Sequence, residues 1–170
     1  PSDVVSTRLL TVQLAASGSP SYTRTARNKT PVLYEGRESE IEIGKGVVLR
    51  EGADVAIVAC GVMVSESLKA AETLAAEGIE ATVVDMHTLK PLDGDLIDQL
   101  VANCGAIVTA EDHSVIGGLG GAVAEHLTSN HYAPLERVGV QDRFGESGQA
   151  DEMLDLSLIH ISEPTRLRSI

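Results

Sequence analysis

Residues 55–84, VAIVACGVMVSESLKAAETLAAEGIEATVV, decide the fold of this chain. The aliphatic runs at the two ends, Val55–Ala59 and Ala81–Val84, are typical of strands that are buried on both faces. Between them, residues 64–77 carry apolar side chains at helical spacing, and Gly78 follows where a left-handed residue can end a helix. A strand, a helix and a second strand in this order predict a right-handed βαβ unit within a parallel sheet.

The same alternation extends to both sides of this unit. We predict further strands at residues 21–25, 46–50, 106–110 and 135–140, and helices at residues 2–17, 91–101, 120–127 and 149–155. Strands that alternate with helices predict an α/β fold with three layers, α/β/α, in which helices cover both faces of a mostly parallel sheet.

The composition excludes several classes of partner. The 170 residues are 43% hydrophobic but only 2% aromatic, and 13 Lys and Arg against 25 Asp and Glu give a net charge of −12. An acidic chain with no basic cluster is not expected to bind nucleic acid or an anionic membrane surface. The sequence has no apolar run of the ~18 residues that a membrane span requires. Since Cys60 and Cys104 lack the spacing of metal ligands, we expect free thiols in a cytoplasmic protein.

The end of the chain, residues 156–170, differs in kind from the rest. Its sequence LSLIHISEPTR, at residues 156–166, resembles the translation of an adapter that is used to prepare sequencing libraries. A native tail that continues a helical stripe is the alternative. We predict that residues 156–170 are non-native and that the native sequence ends near Asp155, within a helix. The start at Pro1 rather than at Met is typical of a fragment or a trimmed chain.

A glycine-rich stretch, Gly117–Gly121, follows a predicted strand and opens a predicted helix. Such a position can hold a phosphate at the helix N-terminus, and Asp142 lies near the spacing of a ribose-binding acid. The stretch departs from the dinucleotide fingerprint, because Val123 occupies the third glycine position. A tight turn with close helix–sheet packing is therefore favoured over a nucleotide site.

Two polar segments follow predicted strands, where open α/β sheets place residues that face ligands. Glu111 and His113 belong to the first segment, while Asp142 and Phe144, the only phenylalanine of the chain, belong to the second. We interpret both segments as structural loops, with a role at an interface or a site as the alternative. Neither resembles a nucleophile elbow, so the residues by themselves indicate no catalytic group.

Two arginines, Arg24 and Arg27, flank the end of the strand predicted at residues 21–25, in a chain with few cations. A guanidinium at such a position can bind a sugar phosphate or a carboxylate through two parallel hydrogen bonds. A surface position without a ligand is the alternative, and composition alone favours it.

Five segments in a fixed order resemble the C-terminal part of transketolase, and in particular the C-terminal subunit of its split-gene form. They are PVLY at residues 31–34, EIGKGVVLRE at 42–51, MHTLKPLD at 86–93, EDHSVIGGLG at 111–120 and DRFGESG at 142–148. The similarity covers essentially residues 1–155. 1-Deoxy-xylulose-phosphate synthase and the β subunits of 2-oxo-acid dehydrogenases share this architecture and are the alternatives within the same class of enzymes.

The resemblance implies an enzyme that uses thiamine diphosphate and magnesium to transfer a two-carbon ketol unit between sugar phosphates. It also implies that residues 1–30 end a pyrimidine-binding domain, that residues 31–45 form a linker and that residues 46–155 form the C-terminal domain. The activating glutamate, the metal ligands and the catalytic histidines would then lie upstream of Pro1. This chain would hold no catalytic, cofactor-binding or metal-binding residue and would be inactive alone.

One functional position carries over from the transketolase family. Arg27, in YTRTAR at residues 22–27, matches the arginine that ends the pyrimidine-binding domain and binds the substrate phosphate, although Thr25 and Ala26 are smaller than the apolar residues expected there. The resemblance further implies an N-terminal transketolase section as partner, in a homodimer or a heterotetramer. A non-catalytic dimerisation module, acting through the sheet edge and residues 142–148, is an alternative of a different class.

Overall fold

The computed structural model describes residues 1–27, 29–130 and 133–142. In chain order, the helices and strands are α1 (Val4–Ser17), β1 (Val47–Arg50), β2 (Val55–Ala59), α2 (Met63–Ala76), β3 (Ala81–Asp85), α3 (Gly94–Cys104), β4 (Ile107–Ser114), α4 (Leu119–Asn130) and β5 (Leu135–Val140). A short 3₁₀ turn, Glu38–Glu40, lies between α1 and β1.

The five strands form one sheet in the order β1-β3-β2-β4-β5. Neighbouring strands from β3 to β5 run parallel, whereas β1 at the edge pairs with β3 in the antiparallel direction. The register of β2 pairs Val55 with Ala81 on one side and Ala56 with Ile107 on the other. This mostly parallel sheet confirms the predicted α/β class.

Helices cover both faces of the sheet. Successive side chains of β2 point to opposite faces, so that Ile57 belongs to one hydrophobic core and Val58 to the other. The helix residues of the first core are Met63, Val64, Ala71 and Leu74 of α2, and those of the second are Ile97 and Leu100 of α3 with Leu119, Val123 and Leu127 of α4. The two cores confirm the predicted three-layer α/β/α architecture.

Helix α1 packs outside these two cores. It begins as predicted, with Asp3 accepting a 2.7 Å hydrogen bond from the N–H of Ser6, and it ends at Gly18, whose φ of 68° is left-handed. Its inner side contributes to a third, smaller core of four buried residues, Leu10, Tyr34, Ile41 and Val47. The helix therefore rests on the segment before β1 and on β1 itself.

Two of the predicted elements are wrong. Residues 21–25 are exposed and irregular rather than a strand, because no strand in the described part of the chain pairs with them. The polar segment at residues 111–114 is not a loop but the end of β4, which stays bonded to β5 after a shift in register. The helix predicted at residues 149–155, and Phe144, lie outside the described residues.

Candidate functional site at the carboxyl edge of the sheet

The carboxyl ends of β2, β3 and β4 bring four ionisable side chains to one edge of the sheet: Cys60, Asp85, Glu111 and Asp112. The register explains their proximity, because Ala59 at the end of β2 pairs with Asp85 on one side and with Ala110 on the other. Open α/β sheets commonly place functional groups at this edge.

Glu111 is 1% exposed, and its carboxylate caps the N-terminus of α4. Its Oε2 accepts a hydrogen bond from the N–H of Leu119 at 2.9 Å, and its Oε1 accepts one from the N–H of Gly120 at 2.9 Å. The positive end of the helix dipole stabilises a carboxylate at this position, which explains how a charged residue is buried here. A Cβ atom at Gly118 would collide with the same carboxylate, so that position requires glycine.

This geometry distinguishes between the two interpretations of Gly117–Gly121. The N–H groups of Leu119 and Gly120, which a phosphate would need, are bonded to Glu111 instead. Asp142, the candidate ribose-binding acid and interface residue, is exposed beyond the end of β5. The structure therefore favours close packing of α4 against the sheet over a nucleotide site.

Asp112 and Arg24 form an ion pair, with 2.7 Å between Oδ1 and Nη2. Arg27, the candidate for the substrate-phosphate contact, is exposed and has no hydrogen-bond partner among the described residues. His113 is also exposed, and its Nδ1 lies 3.2 Å from the carbonyl oxygen of Ser114. The structure thus brings Arg24, but not Arg27 or His113, into a side-chain contact at the carboxyl edge.

A buried polar cluster at the same edge is not apparent from the sequence. Oδ2 of Asp85 accepts hydrogen bonds from the hydroxyl groups of Ser2 at 2.5 Å and Tyr34 at 2.8 Å. Oδ2 of Asp3 accepts hydrogen bonds from the N–H groups of Leu33 at 2.8 Å and Tyr34 at 3.1 Å. Tyr34 is therefore held at both its backbone and its hydroxyl, and the cluster joins the start of α1 to the end of β3.

One signal for this cluster was present in the sequence. Asp85 directly follows the aliphatic run at residues 81–84, and an acid that ends a buried strand requires a partner. Its partners could not be identified from local patterns, since Tyr34 is 51 positions away and Ser2 is 83 positions away.

Burial shifts the pKa values of the acids in this cluster. Desolvation raises the pKa of Asp85, although the hydrogen bonds from two hydroxyl groups act in the opposite direction. Desolvation and the carboxylate of Asp85 also raise the pKa of Tyr34. At Asp3, desolvation again favours a higher pKa, but hydrogen bonds from Ser6, Leu33 and Tyr34 outweigh it, and the net shift is downward. Asp3 is therefore an ionised acceptor and Tyr34 a neutral donor at neutral pH.

Two further groups near this edge are held in their neutral forms. Burial, followed by the charge of Glu111, raises the pKa of the Cys60 thiol to about 12. Burial, followed by the positive amino group of Pro1, lowers the pKa of His87 to about 4. Cys60 is therefore not a thiolate, and His87 is not charged, at neutral pH. Its hydrogen bonds are suited to holding segments of the chain together.

Residues 44–163 match the family model described as transketolase, C-terminal domain. The chain belongs to this family. The match to the transketolase C-terminal domain begins before β1, includes the whole sheet and extends to residue 163, within the segment of residues 156–170.

Curated relatives of the transketolase family align over most of the chain. A 6-deoxy-6-sulfo-D-fructose transketolase subunit from Clostridium sp. is 46% identical over 151 residues, which are 89% of this chain and 47% of the relative. A putative transketolase C-terminal section from Methanocaldococcus jannaschii is 44% identical over 156 residues, 91% of this chain and 48% of the relative. A 1-deoxy-D-xylulose-5-phosphate synthase from Trichormus variabilis is 46% identical over 123 residues, 72% of this chain and 19% of the relative. The chain thus spans about half the length of the first two relatives.

Solved transketolase structures agree with these alignments. A chain described as a split-gene transketolase in an inactive β4 tetramer superposes with a TM-score of 0.93 at 42% identity, over 99% of this chain and 55% of that chain. A transketolase from Pichia stipitis superposes with a TM-score of 0.60 at 25% identity, over 82% of this chain and 20% of that chain. These matches confirm the resemblance to the C-terminal part of transketolase.

The start of α4 does not fit the thiamine diphosphate that the transketolase resemblance implies, and no cluster of ligands in the described residues fits the divalent metal. A diphosphate needs free N–H donors, and those of Leu119 and Gly120 at the start of α4 are bonded to Glu111. A metal needs several ligands in one place, and the described residues contain no group of three or more His, Cys, Asp or Glu side chains that could hold one. No step of a reaction is therefore assigned to either group within this chain.

Proposed function

We propose that this chain is the C-terminal part of a transketolase that transfers a two-carbon ketol unit between anionic sugars, and that it works with an N-terminal section. The observation that carries the proposal is its 42–46% identity to a transketolase subunit, a C-terminal section and a split-gene chain, over 89–99% of its own length. The expected assembly with that partner is a homodimer or a heterotetramer of the complete enzyme.

In this proposal the chain supplies structure and, through Arg27, one contact to the substrate. Residues 1–30 complete a pyrimidine-binding domain, residues 31–45 connect it and residues 46–155 form the C-terminal domain. The exposure of α1 supports this division, because Val4 is 66% exposed and Val12 is 63% exposed. A helix with such an uncovered apolar side is expected to be covered by further parts of its domain.

Thiamine diphosphate and magnesium are bound, in this proposal, by parts of the enzyme that this chain does not contain. The occupied N-terminus of α4 and the protonated thiol of Cys60 support that expectation. The related chain with a TM-score of 0.93 is described as inactive in its β4 tetramer, which supports inactivity of this chain alone. No described helix is long and apolar enough to cross a membrane. The cytoplasmic location is a separate part of the proposal, which follows from the transketolase resemblance.

The anionic group of the substrate is a phosphate in our first hypothesis and a sulfonate in the second. The second is favoured by the 46% identity to a subunit that is named for 6-deoxy-6-sulfo-D-fructose. A guanidinium such as that of Arg27 can bind either group, since both present oxygen atoms to its forked donors. Steady-state rates with fructose 6-phosphate and with its 6-sulfo analogue as ketol donors distinguish the two hypotheses.

The deoxyxylulose-phosphate synthase branch is the second candidate activity. It is supported by 46% identity over 123 residues, but these are 72% of the chain, compared with 89% and 91% for the two transketolase relatives. The experiment is reconstitution with an N-terminal section, the remainder of the pyrimidine-binding domain, thiamine diphosphate and magnesium. An aldose phosphate is the acceptor, and either a ketose phosphate or pyruvate is the donor. We expect turnover with the ketose phosphate as donor. Turnover with pyruvate, but not with the ketose phosphate, would favour the synthase instead.

A further inference from the structure

We refer to the segment after α1, residues 20–32, as the strap, of which the structure describes residues 20–27 and 29–32. Its described residues form no helix or strand, and nearly all of them are exposed. Among the described residues, the strap has two hydrogen bonds to residues outside it: Ser21 donates to the neighbouring Ser19 at 3.0 Å, and Arg24 donates to Asp112, 88 positions away, at 2.7 Å. Arg27 lies in the strap three residues after Arg24.

The Asp112 side of the pair is fixed by the sheet. Asp112 belongs to β4, two residues after Ala110, the last residue of β4 that pairs with β2, and two residues before Ser114, which pairs with Val140 of β5. Its Oδ1 also lies close to the turn after β2, since a Cβ atom at Gly61 would be 3.4 Å from it. Arg24 lies in an exposed segment without secondary structure, so its ion pair with Asp112 restricts the position of its side chain.

We infer that Asp112 is a positioning residue, which holds Arg24 and thereby keeps Arg27 near the carboxyl edge for the anionic group of the substrate. Three residues of extended chain span at most about 10 Å, so a fixed Arg24 confines Arg27 to a small volume. The inference rests on the proposed role of Arg27. Asp112 itself makes no contact with the substrate.

The expected effect is modest and depends on salt, because the Arg24 side chain is 46% exposed and that of Asp112 is 29% exposed. Exposed ion pairs shift an equilibrium by roughly two- to fivefold, and salt screens them. Loss of the pair should therefore raise KM for a phosphorylated sugar by about two- to fivefold at low salt. The value of kcat should not change, since the reacting groups lie in other parts of the enzyme.

The first measurement follows the strap in the isolated chain, without substrate. We would record the backbone heteronuclear NOE of residues 20–27 in the native sequence, in Asp112→Asn and in the charge-swapped double variant Arg24→Asp with Asp112→Arg. Asp112→Asn should lower the NOE, and the double variant should restore it. Glu80→Gln is the matched control, because it removes another exposed ion pair, the 2.7 Å contact with Arg50. An unchanged NOE in Asp112→Asn would overturn the inference.

The second measurement is the KM of the reconstituted enzyme for phosphorylated and unphosphorylated sugars. Asp112→Asn should raise KM for the phosphorylated sugar only, and the double variant should reverse the change. If Asp112→Asn lowers the NOE of the strap but leaves KM unchanged, the positioning role of Asp112 is overturned. The role of Arg27 then still stands if Arg27→Ala raises the same KM. If Arg27→Ala leaves this KM unchanged, the proposed phosphate contact fails, and the inference fails with it.

Discussion

The hydroxyl group of Tyr34 donates a 2.8 Å hydrogen bond to Oδ2 of Asp85, across 51 positions of sequence. Both residues are fully buried. Because the same oxygen of Asp85 accepts a hydrogen bond from Ser2, one carboxylate connects the start of α1, the segment before β1 and the end of β3. The attachment of α1 to the α/β layers therefore depends on a few buried polar groups as well as on its small apolar core.

Tyr34→Phe is expected to lower the free energy of unfolding by about 1–3 kcal/mol, because it removes a donor from the buried carboxyl group of Asp85. Urea denaturation followed by circular dichroism measures the change. Tyr22→Phe is the control, since Tyr22 is 86% exposed and the same substitution there should have an effect within about 0.5 kcal/mol. Equal effects of the two variants would show that the bond to Asp85 does not stabilise the fold.

Glu111→Gln is expected to destabilise the chain by about 1–3 kcal/mol, because the amide replaces one acceptor oxygen with a donor that faces the N-terminus of α4. Thermal unfolding provides the comparison. The matched control is Glu125→Gln, which changes an exposed carboxylate on the same helix. A loss of stability no greater than that of the control would contradict the capping role of Glu111.

His87→Gln is expected to flatten the dependence of stability on pH. Burial lowers the pKa of His87 from 6.5 to about 4, so the unfolded chain takes up a proton before the folded chain does. The stability that the neutral ring provides is therefore complete above pH 6.5 and is lost as the pH falls towards 4, by up to about 3 kcal/mol. The test is the difference in unfolding free energy between the native sequence and His87→Gln, measured at about pH 7.5 and at about pH 4.5. Asp85 and Asp3 are present in both proteins, so their titration cancels from this difference. A difference that does not vary with pH would exclude the buried neutral ring.

Cys60 is expected to react slowly with iodoacetamide in the folded chain. With its pKa raised to about 12, the thiol is almost entirely protonated at about pH 8. Modification should be at least ~100-fold slower than in the urea-unfolded chain, because the thiolate is the reactive form. Peptide mapping by mass spectrometry measures both rates at Cys60. Similar rates in the two states would mean that the Cys60 thiol is not held in its protonated form.

The sequence predicted those elements that depend on local pattern. The aliphatic run at residues 55–59 and the strand at residues 135–140 have the predicted bounds, and Asp3 and Gly18 delimit α1 as expected. The strand predicted at residues 21–25 is absent from the described structure, because suitable side chains do not form a strand without a neighbouring strand.

The candidate site was less accessible to prediction, since its contacts are not local. The segment of Glu111 was predicted to be a loop but is the end of β4, where hydrogen bonds from N–H groups eight and nine positions later allow the carboxylate to be buried. Asp112 and Arg24 lie 88 positions apart, and their contact could not be anticipated from either segment. Arg27 was identified through family resemblance alone, and its role stays a prediction.

Subunit complementation tests the central claim most directly. The purified chain and the rest of the enzyme, which comprises an N-terminal section and the remainder of the pyrimidine-binding domain, would be assayed separately and together, with thiamine diphosphate, magnesium, a ketose phosphate donor and an aldose phosphate acceptor. We predict no ketol transfer by this chain alone and clear transfer when the two are combined. Transfer by this chain alone would contradict the account. The account would also be contradicted if the combined parts formed a stable complex and bound the cofactors but transferred no ketol unit from any anionic ketose.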